Sequence, residues 1–335
     1  MMEHDLAAAC QGAEKRQAAE KRLGDGSGNY PALLKVGVFP QSVEAQFRAV
    51  FTLIDEEALQ KHPAQADAIG GIVTRSNYRI SAELMDRLPQ LRIITTNGVG
   101  YDGIALERAR EKNIVVTNTP DVLNKAVAEL ALGLLLALLR KLPAADNFVR
   151  GGAWKDSPFP LGASLAGKKV GIVGLGRIGK EIVQRLVPFE VDVSYFGRAR
   201  QAVPWRHFDS LPAMARHVDV LILSCPGGAA TRHLVDAAVL QALGPGGVVV
   251  NVARGSVINE SDLCLALAHG IIQGAALDVF DSEPLGESPL RHMPNVILAP
   301  HIGSATHETR RQMAELAIRN LVSFFTTGKA VTPVA

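Results

Sequence analysis

Val170-Gly171-Ile172-Val173-Gly174-Leu175-Gly176-Arg177-Ile178-Gly179-Lys180-Glu181-Ile182-Val183 reads as an apolar strand, a glycine turn and the first turn of a helix. Each glycine has its own reason. Gly174 permits a tight turn out of the strand. Gly176 lets the backbone approach a pyrophosphate that a side chain would strike. Gly179 lets the helix pack closely on the strand. Unpaired N–H groups and the helix dipole then favour an anion at the helix N-terminus. The stretch predicts a dinucleotide site with Gly174, Gly176, Arg177, Ile178 and Gly179 as cofactor residues.

Eighteen residues after Gly179, a second strand, Val191-Asp192-Val193-Ser194-Tyr195-Phe196, ends in Gly197-Arg198-Ala199-Arg200. NAD-binding turns place an Asp or Glu there to accept from the adenosine ribose. Here no carboxylate stands to repel a 2′-phosphate, and Arg198, Arg200 and Arg206 can pair with one. Gly197 and Arg198 therefore predict NADP(H), with NAD(H) as the alternative cofactor. The structural alternative is that the arginines are merely solvated loop residues.

A chain of 335 residues is long for one core, so two domains are expected. With 47% hydrophobic and 20% charged residues it has the balance of a soluble enzyme. A net charge of +2 gives no nucleic-acid footprint. Cys10, Cys225 and Cys264 are scattered, which points to neither a disulfide framework nor a metal site and favours a reducing cytoplasm. Residues 1–30 are charged and Ala-rich and end in Gly24-Asp25-Gly26-Ser27-Gly28, reading as a tail rather than a signal peptide. The apolar run Leu130 to Leu139 is too short for a bilayer and predicts a buried helix; no membrane partner is expected.

Strands alternate with amphipathic helices from Leu33 onward, predicting α/β architecture with parallel sheets. Expected strands are Leu34 to Phe39, Ile69 to Thr74, Leu91 to Thr96 and Ile114 to Thr117. A second set of six follows: Lys169 to Val173, Val191 to Phe196, Val218 to Ser224, Val248 to Val252, Gly274 to Asp278 and Val296 to Ala299. Ser81 is placed to cap a helix reaching Leu88. Glu308 to Thr326 is a helix that follows the sixth strand, so the chain is expected to return to its first domain. The expected division is a tail (1–30), a discontinuous substrate domain (31–120 and 304–335) and a dinucleotide domain (121–303), with ligand at the carboxyl ends of the strands.

Three ionisable residues follow strands of the second set: Arg254, Glu283 and His301. Together they suit reduction of a 2-keto acid. His301 would protonate the keto oxygen as hydride arrives at carbon. Glu283 would hold the other ring nitrogen and favour the imidazolium. Arg254 would bind the substrate carboxylate and polarise the carbonyl. Asp278 is placed to meet the carboxamide side of a nicotinamide. Structural alternatives exist for each: a His after Pro300 can be a packing residue, Arg254 can cap a helix, and Glu283 before Pro284 can lie in an exposed turn. Asp281 competes with Glu283 for the orienting role.

These residues carry a resemblance. Asn97-Gly98-Val99-Gly100-Tyr101-Asp102, the Gly167 to Gly179 segment, Asn251-Val252-Ala253-Arg254-Gly255, Leu277-Asp278-Val279-Phe280 with Glu283-Pro284, and Pro300-His301-Ile302-Gly303 occur in the order found in D-isomer-specific 2-hydroxyacid dehydrogenases. The chain resembles that family from about Leu33 to Thr327. The resemblance implies two doubly wound parallel-sheet domains, a Rossmann-type cofactor domain and a flavodoxin-like substrate domain. It implies that Arg254, Glu283 and His301 are catalytic, and that backbone N–H groups of Val99 and Gly100 join Arg254 and His301 in holding substrate. It further implies cofactor contacts at Cys225, Pro226, Thr231, Val252, Ala253, Arg254, Asp278, His301 and Gly303, and a homodimer with the Leu130 to Leu139 helix near its interface. The Gly197-Arg198 ending is similar to the glyoxylate/hydroxypyruvate reductase branch, which prefers NADPH. Cys225-Pro226-Gly227-Gly228 departs from the family's usual Pro-Leu-Thr. The competing expectations are a dehydrogenase for a larger acid such as phenylpyruvate, with Thr74 to Tyr78 at the side-chain end of the pocket, and a dinucleotide-sensing corepressor-like protein. A methyltransferase is the remote third, disfavoured by the missing ribose acid.

Overall fold

The computed structural model describes residues 30–334. The expected tail, with Cys10, lies outside the described residues apart from Tyr30. The chain forms two compact units. One takes residues up to Asn97, Ala105–Thr117 and the chain from Ala314; the other takes Gly98–Ile104 and Asn118–Met313.

The first unit holds β1 (Ala32–Lys35), β2 (Leu53–Asp55), β3 (Ile69–Thr74), β4 (Ile93–Thr96) and β5 (Val115–Thr117), in the order β2-β1-β3-β4-β5 with every pair parallel. That is the flavodoxin-like winding. β3 and β4 are buried along their whole length, as a covered parallel strand must be. Ser81 caps the helix Ala82–Asp86 by accepting from Leu84 N at 3.3 Å. β1 stops at Lys35 rather than reaching Phe39. Gly37 takes φ +90°, and a Cβ there would enter the Tyr78 ring. β2 escaped the sequence reading because it has only three residues, one of them Asp55.

The second unit holds β6 (Lys169–Val173), β7 (Asp192–Phe196), β8 (Arg206–Phe208), β9 (Val220–Leu223), β10 (Val248–Asn251), β11 (Gly274–Leu277) and β12 (Val296–Leu298). The order is β12-β11-β10-β9-β6-β7-β8, again all parallel. The winding reverses at β6, the switch point where such sheets bind ligand. The sequence predicted six strands; β8 is the seventh. It is a short edge strand that opens with Arg206 and His207 and shows no apolar run. Side chains alternate between two cores. Leu221 and Leu223 face one, while Val220 and Ile222 face the other.

The predicted Leu130 to Leu139 helix starts earlier, spanning Asn124–Leu139, and Ala128, Ala131 and Leu135 pack in one core with Ile182 and Val183. Among the described residues no helix is long and apolar enough to cross a membrane. The last helix, His307–Thr327, divides by its packing: Met313 belongs to the second unit's core, while Ala314, Ala317, Ile318 and Leu321 belong to the first unit's. The units therefore part at Met313, where the sequence placed the boundary at 303/304. Likewise Gly98–Ile104 groups with the second unit, because Thr119 N donates to Gly98 O and Asn118 Nδ2 to Val99 O.

Candidate functional site

All seven strands of the second sheet run the same way, so their carboxyl ends share one edge. In sheet order that edge presents His301 after β12, Asp278 and Glu283 after β11, Arg254 after β10, Cys225 and Pro226 after β9, the glycine turn after β6, and Gly197-Arg198 after β7. β12 and β7 are five strand spacings apart, about 24 Å. A single ligand touching both ends must be extended.

The glycine turn has the geometry its sequence predicts. Gly174 sits at φ +95°, and a Cβ there would meet the Cys225 backbone. Ser224 Oγ donates to Gly174 O at 2.8 Å. A Cβ on Gly179 would strike Gly174 O and crowd Ile172, so the close approach is to the turn's own carbonyl as much as to the strand. Gly176 is the N-cap of the helix Arg177–Leu186, and a Cβ there would meet nothing within 4 Å. Open space above a helix N-terminus fits a pyrophosphate. Arg177 pairs with Asp121 (Nε–Oδ1 3.0 Å), a residue at φ +69°, and Ile178 is half-buried.

Gly197 also opens onto free space, and Arg198 and Arg200 are exposed. Arg206, also exposed, lies over the Phe208 ring at 4.5 Å. Arg198 and Arg200 are thus the loop arginines presented outward. Cys225 is buried, and burial pushes its thiol up to about 11, so it is a neutral packing group. Thr231 Oγ1 donates to Pro226 O at 2.7 Å and closes that loop. Val252 and Ala253 are buried in the strand-end turn.

At the other end of the edge, His301 Nδ1 meets Glu283 Oε2 at 2.6 Å, and Phe280 N donates to Glu283 Oε1 at 3.2 Å. Glu283, not Asp281, is the residue on the ring; Asp281 is exposed. Burial raises the Glu283 carboxyl, but the hydrogen bond and positive charge of His301 outweigh it and the net direction is down. Nε2 is left as the ring nitrogen that can meet a ligand. His301 itself stands at φ +53°. Asp278, 2% exposed, holds that bend: Oδ1 accepts from Ile302 N at 2.7 Å and Oδ2 from Gly303 N at 2.8 Å. The sequence aimed Asp278 at a cofactor carboxamide; its oxygens instead grip the loop behind His301. Burial raises its carboxyl, partly offset by those two N–H groups and by the charge of His301.

Arg254 is fixed by three features. Asn251 Oδ1 accepts from Ala253 N and Nδ2 donates to Arg254 O, both at 3.0 Å, shaping the strand-end turn. Arg254 Nη1 donates to Ala253 O at 2.7 Å, and Nε faces Asp102 at 3.3 Å. A Cβ on Gly100 would collide with the guanidinium, and one on Gly227 with the Arg254 stem. The structure therefore brings Gly100, Asp102 and Arg254 together. Gly255 allows the Phe280–Asp281 backbone to pass, since a Cβ there would overlap it. Asn251, Asp102 and Gly255 lie inside motifs whose sequence assigns them no role; the separation of Asp102 from Arg254 by 152 residues leaves no local signal.

In the first unit, two of the residues expected at the substrate end clamp a neighbouring loop. Tyr78 Oη accepts from Val38 N at 3.0 Å, and Arg75 Nη1 donates to Val38 O at 2.9 Å.

Residues 132–303 match the family described as D-isomer specific 2-hydroxyacid dehydrogenase, NAD binding domain. A hydroxyphenylpyruvate reductase of Plectranthus scutellarioides is 43% identical over 271 residues, 81% of this chain and 87% of that protein. A glyoxylate/hydroxypyruvate reductase of Arabidopsis thaliana is 43% identical over 269 residues, 80% of this chain and 86% of that one. The crystal structure of an NADPH-dependent glyoxylate/hydroxypyruvate reductase from Sinorhizobium meliloti, in complex with NADP and malonate, superposes with a TM-score of 0.87. It is 43% identical and covers 92% of this chain and 97% of that one.

Proposed function

Since the chain belongs to the D-isomer specific 2-hydroxyacid dehydrogenase family, and is thereby an NAD(P)-dependent oxidoreductase, we propose that it reduces small 2-keto acids with NADPH, glyoxylate to glycolate and hydroxypyruvate to D-glycerate. The observation that carries the chemistry is the 2.6 Å contact of His301 with Glu283 at a strand end next to that of Arg254. The bound nicotinamide supplies hydride transfer. His301 delivers a proton from Nε2 to the keto oxygen, and Glu283 stabilises the imidazolium that donates it. Arg254, set by Asp102, pairs with the substrate carboxylate beside the backbone of Val99 and Gly100. Asp278 holds the Ile302–Gly303 backbone, so the His301 ring keeps its place. The glycine turn and Arg177 take the pyrophosphate, and Arg198 and Arg200 take the 2′-phosphate.

The similarity to a hydroxyphenylpyruvate reductase supports a second reading, an aromatic 2-keto acid as substrate. Steady-state kinetics with glyoxylate, hydroxypyruvate, pyruvate and phenylpyruvate, each with NADPH and NADH, tests both. The first reading expects the highest kcat/KM for hydroxypyruvate or glyoxylate with NADPH. A preference for phenylpyruvate replaces it with the second, and absence of turnover on all four rejects both.

The protein also fits a homodimer. Leu142, Val149, Trp154 and Leu161 are exposed apolar side chains in the stretch after the Asn124–Leu139 helix, and the helix Leu142–Arg150 buries none of its residues in its own chain. A second copy of this surface would cover them. Light scattering on the purified protein reads the mass directly. A cytoplasmic setting is in keeping with the free thiols Cys225 and Cys264.

A further inference from the structure

We propose that Gln201 and Tyr195 are positioning residues for cofactor choice: they strap the arginine loop to the glycine turn, and this sets the preference for a 2′-phosphorylated ribose. The inference rests on the NADPH reading above. β8 is the sheet's last strand, so the loop from Gly197 to Trp205 lies at an edge where loops are ordinarily loose. This one is tied at both ends and in the middle. Gln201 Nε2 donates to Leu175 O at 2.8 Å, inside the Gly174–Gly179 turn itself. Gln201 N donates to Tyr195 Oη at 2.7 Å. Tyr195 is fully buried, its ring 5.0 Å from that of His207, and His207 Nε2 lies 3.4 Å from Gly197 O. Val203 and Trp205 pack on the core beneath.

The consequence follows from where the ties sit. Arg198 and Arg200 are the exposed residues of a loop whose next residue is bonded to the phosphate turn. Their backbone is therefore ordered before any ligand arrives, and a 2′-phosphate meets guanidinium groups already near it. Pre-ordering lowers the entropic cost of binding, and only for a ligand that uses those groups. A ribose with a plain 2′-hydroxyl leaves the arginines idle and is indifferent to the strap.

Gln201→Met keeps length and removes the donor. Tyr195→Phe keeps the buried ring and removes the acceptor. Each is expected to lower the ratio of kcat/KM for NADPH over NADH by about three- to tenfold, with kcat and KM for NADH unchanged. The double variant should fall short of the product, because both changes free one loop. Adenosine 2′,5′-bisphosphate and 5′-AMP, titrated as competitive inhibitors, should reproduce the split: the bisphosphate weakens and AMP does not. Equal losses for both cofactors, or an unchanged ratio, overturn the proposal. Arg198→Ala separates the two levels. If it lowers the ratio while Gln201→Met and Tyr195→Phe do not, the strap fails and the NADPH reading stands. A wild-type protein with no preference for the bisphosphate over AMP sinks both.

Discussion

At the carboxyl ends of β6 and β7 the decisive residues are glycines, and Arg198 and Arg200 beside them are exposed. At the ends of β10, β11 and β12, Arg254 is held by Asp102, His301 by Glu283, and the Ile302–Gly303 backbone by Asp278. The first region offers open space and backbone N–H groups to a ligand brought to it. The second fixes the ionisable atoms before a ligand arrives, as the proton donor proposed for it would require. Binding tolerates a surface; chemistry needs a framework.

The comparison breaks most sharply at His301. His301→Ala should lower kcat by on the order of 10²- to 10⁴-fold while the NADPH dissociation constant, read by fluorescence titration, stays near its wild-type value. A comparable loss of cofactor affinity would make the two regions one. Glu283→Gln comes next, on the order of 10- to 100-fold in kcat for one hydrogen bond to a charged partner. Its stability has a signature too. The Glu283 carboxyl is held below its ordinary value, chiefly by the hydrogen bond and charge of His301 working against burial. Its contribution is thus present above the ordinary carboxylate range and is lost as pH falls through the lowered value. Asp278 has the opposite sign, since burial raises its carboxyl: its contribution is present below the ordinary Asp range and is lost as pH rises through the raised value. Glu283→Gln should therefore flatten the acid fall of the thermal midpoint as pH drops below the ordinary carboxylate range, measured by calorimetry.

Arg198→Ala acts in the open region and should lower the NADPH-to-NADH ratio of kcat/KM by on the order of tenfold, leaving the rate at saturation intact. The smallest effect belongs to Asp102→Asn. The Asp102–Arg254 pair is partly exposed, so KM for the keto acid should rise about two- to fivefold with little change in kcat. A larger fall in kcat than rise in KM would mean that Asp102 tunes the transition state rather than the seat of Arg254.

How much of this was readable in the chain differs between the two regions. The glycine turn was legible because its demands are local: a positive φ at Gly174 and a tight approach at Gly179 each exclude a side chain. Strand-end positions of Arg254, Glu283 and His301 were legible from the apolar runs before them. Edge strands β2 and β8 were not, since three-residue strands carrying Asp55, or Arg206 and His207, lack a periodic signal. The boundary within the last helix was hidden as well. One continuous periodicity runs through Met313 and Ala314, although these side chains belong to different cores.

By itself the sequence determined the α/β class, the glycine turn, the missing acid after β7 and the identity of the three ionisable strand-end residues, because these depend on backbone permission and on periodicity over a few residues. Tertiary structure alone decided the partners. Asp278 turns to Ile302 and Gly303, and Gln201 reaches back to Leu175, only because parallel strands of the second sheet end along one edge; Asp102 reaches Arg254 because Gly98–Ile104, the segment after β4, folds with the second unit. The lateral order of strands is set by burying both faces of the whole sheet, a condition that no single segment contains.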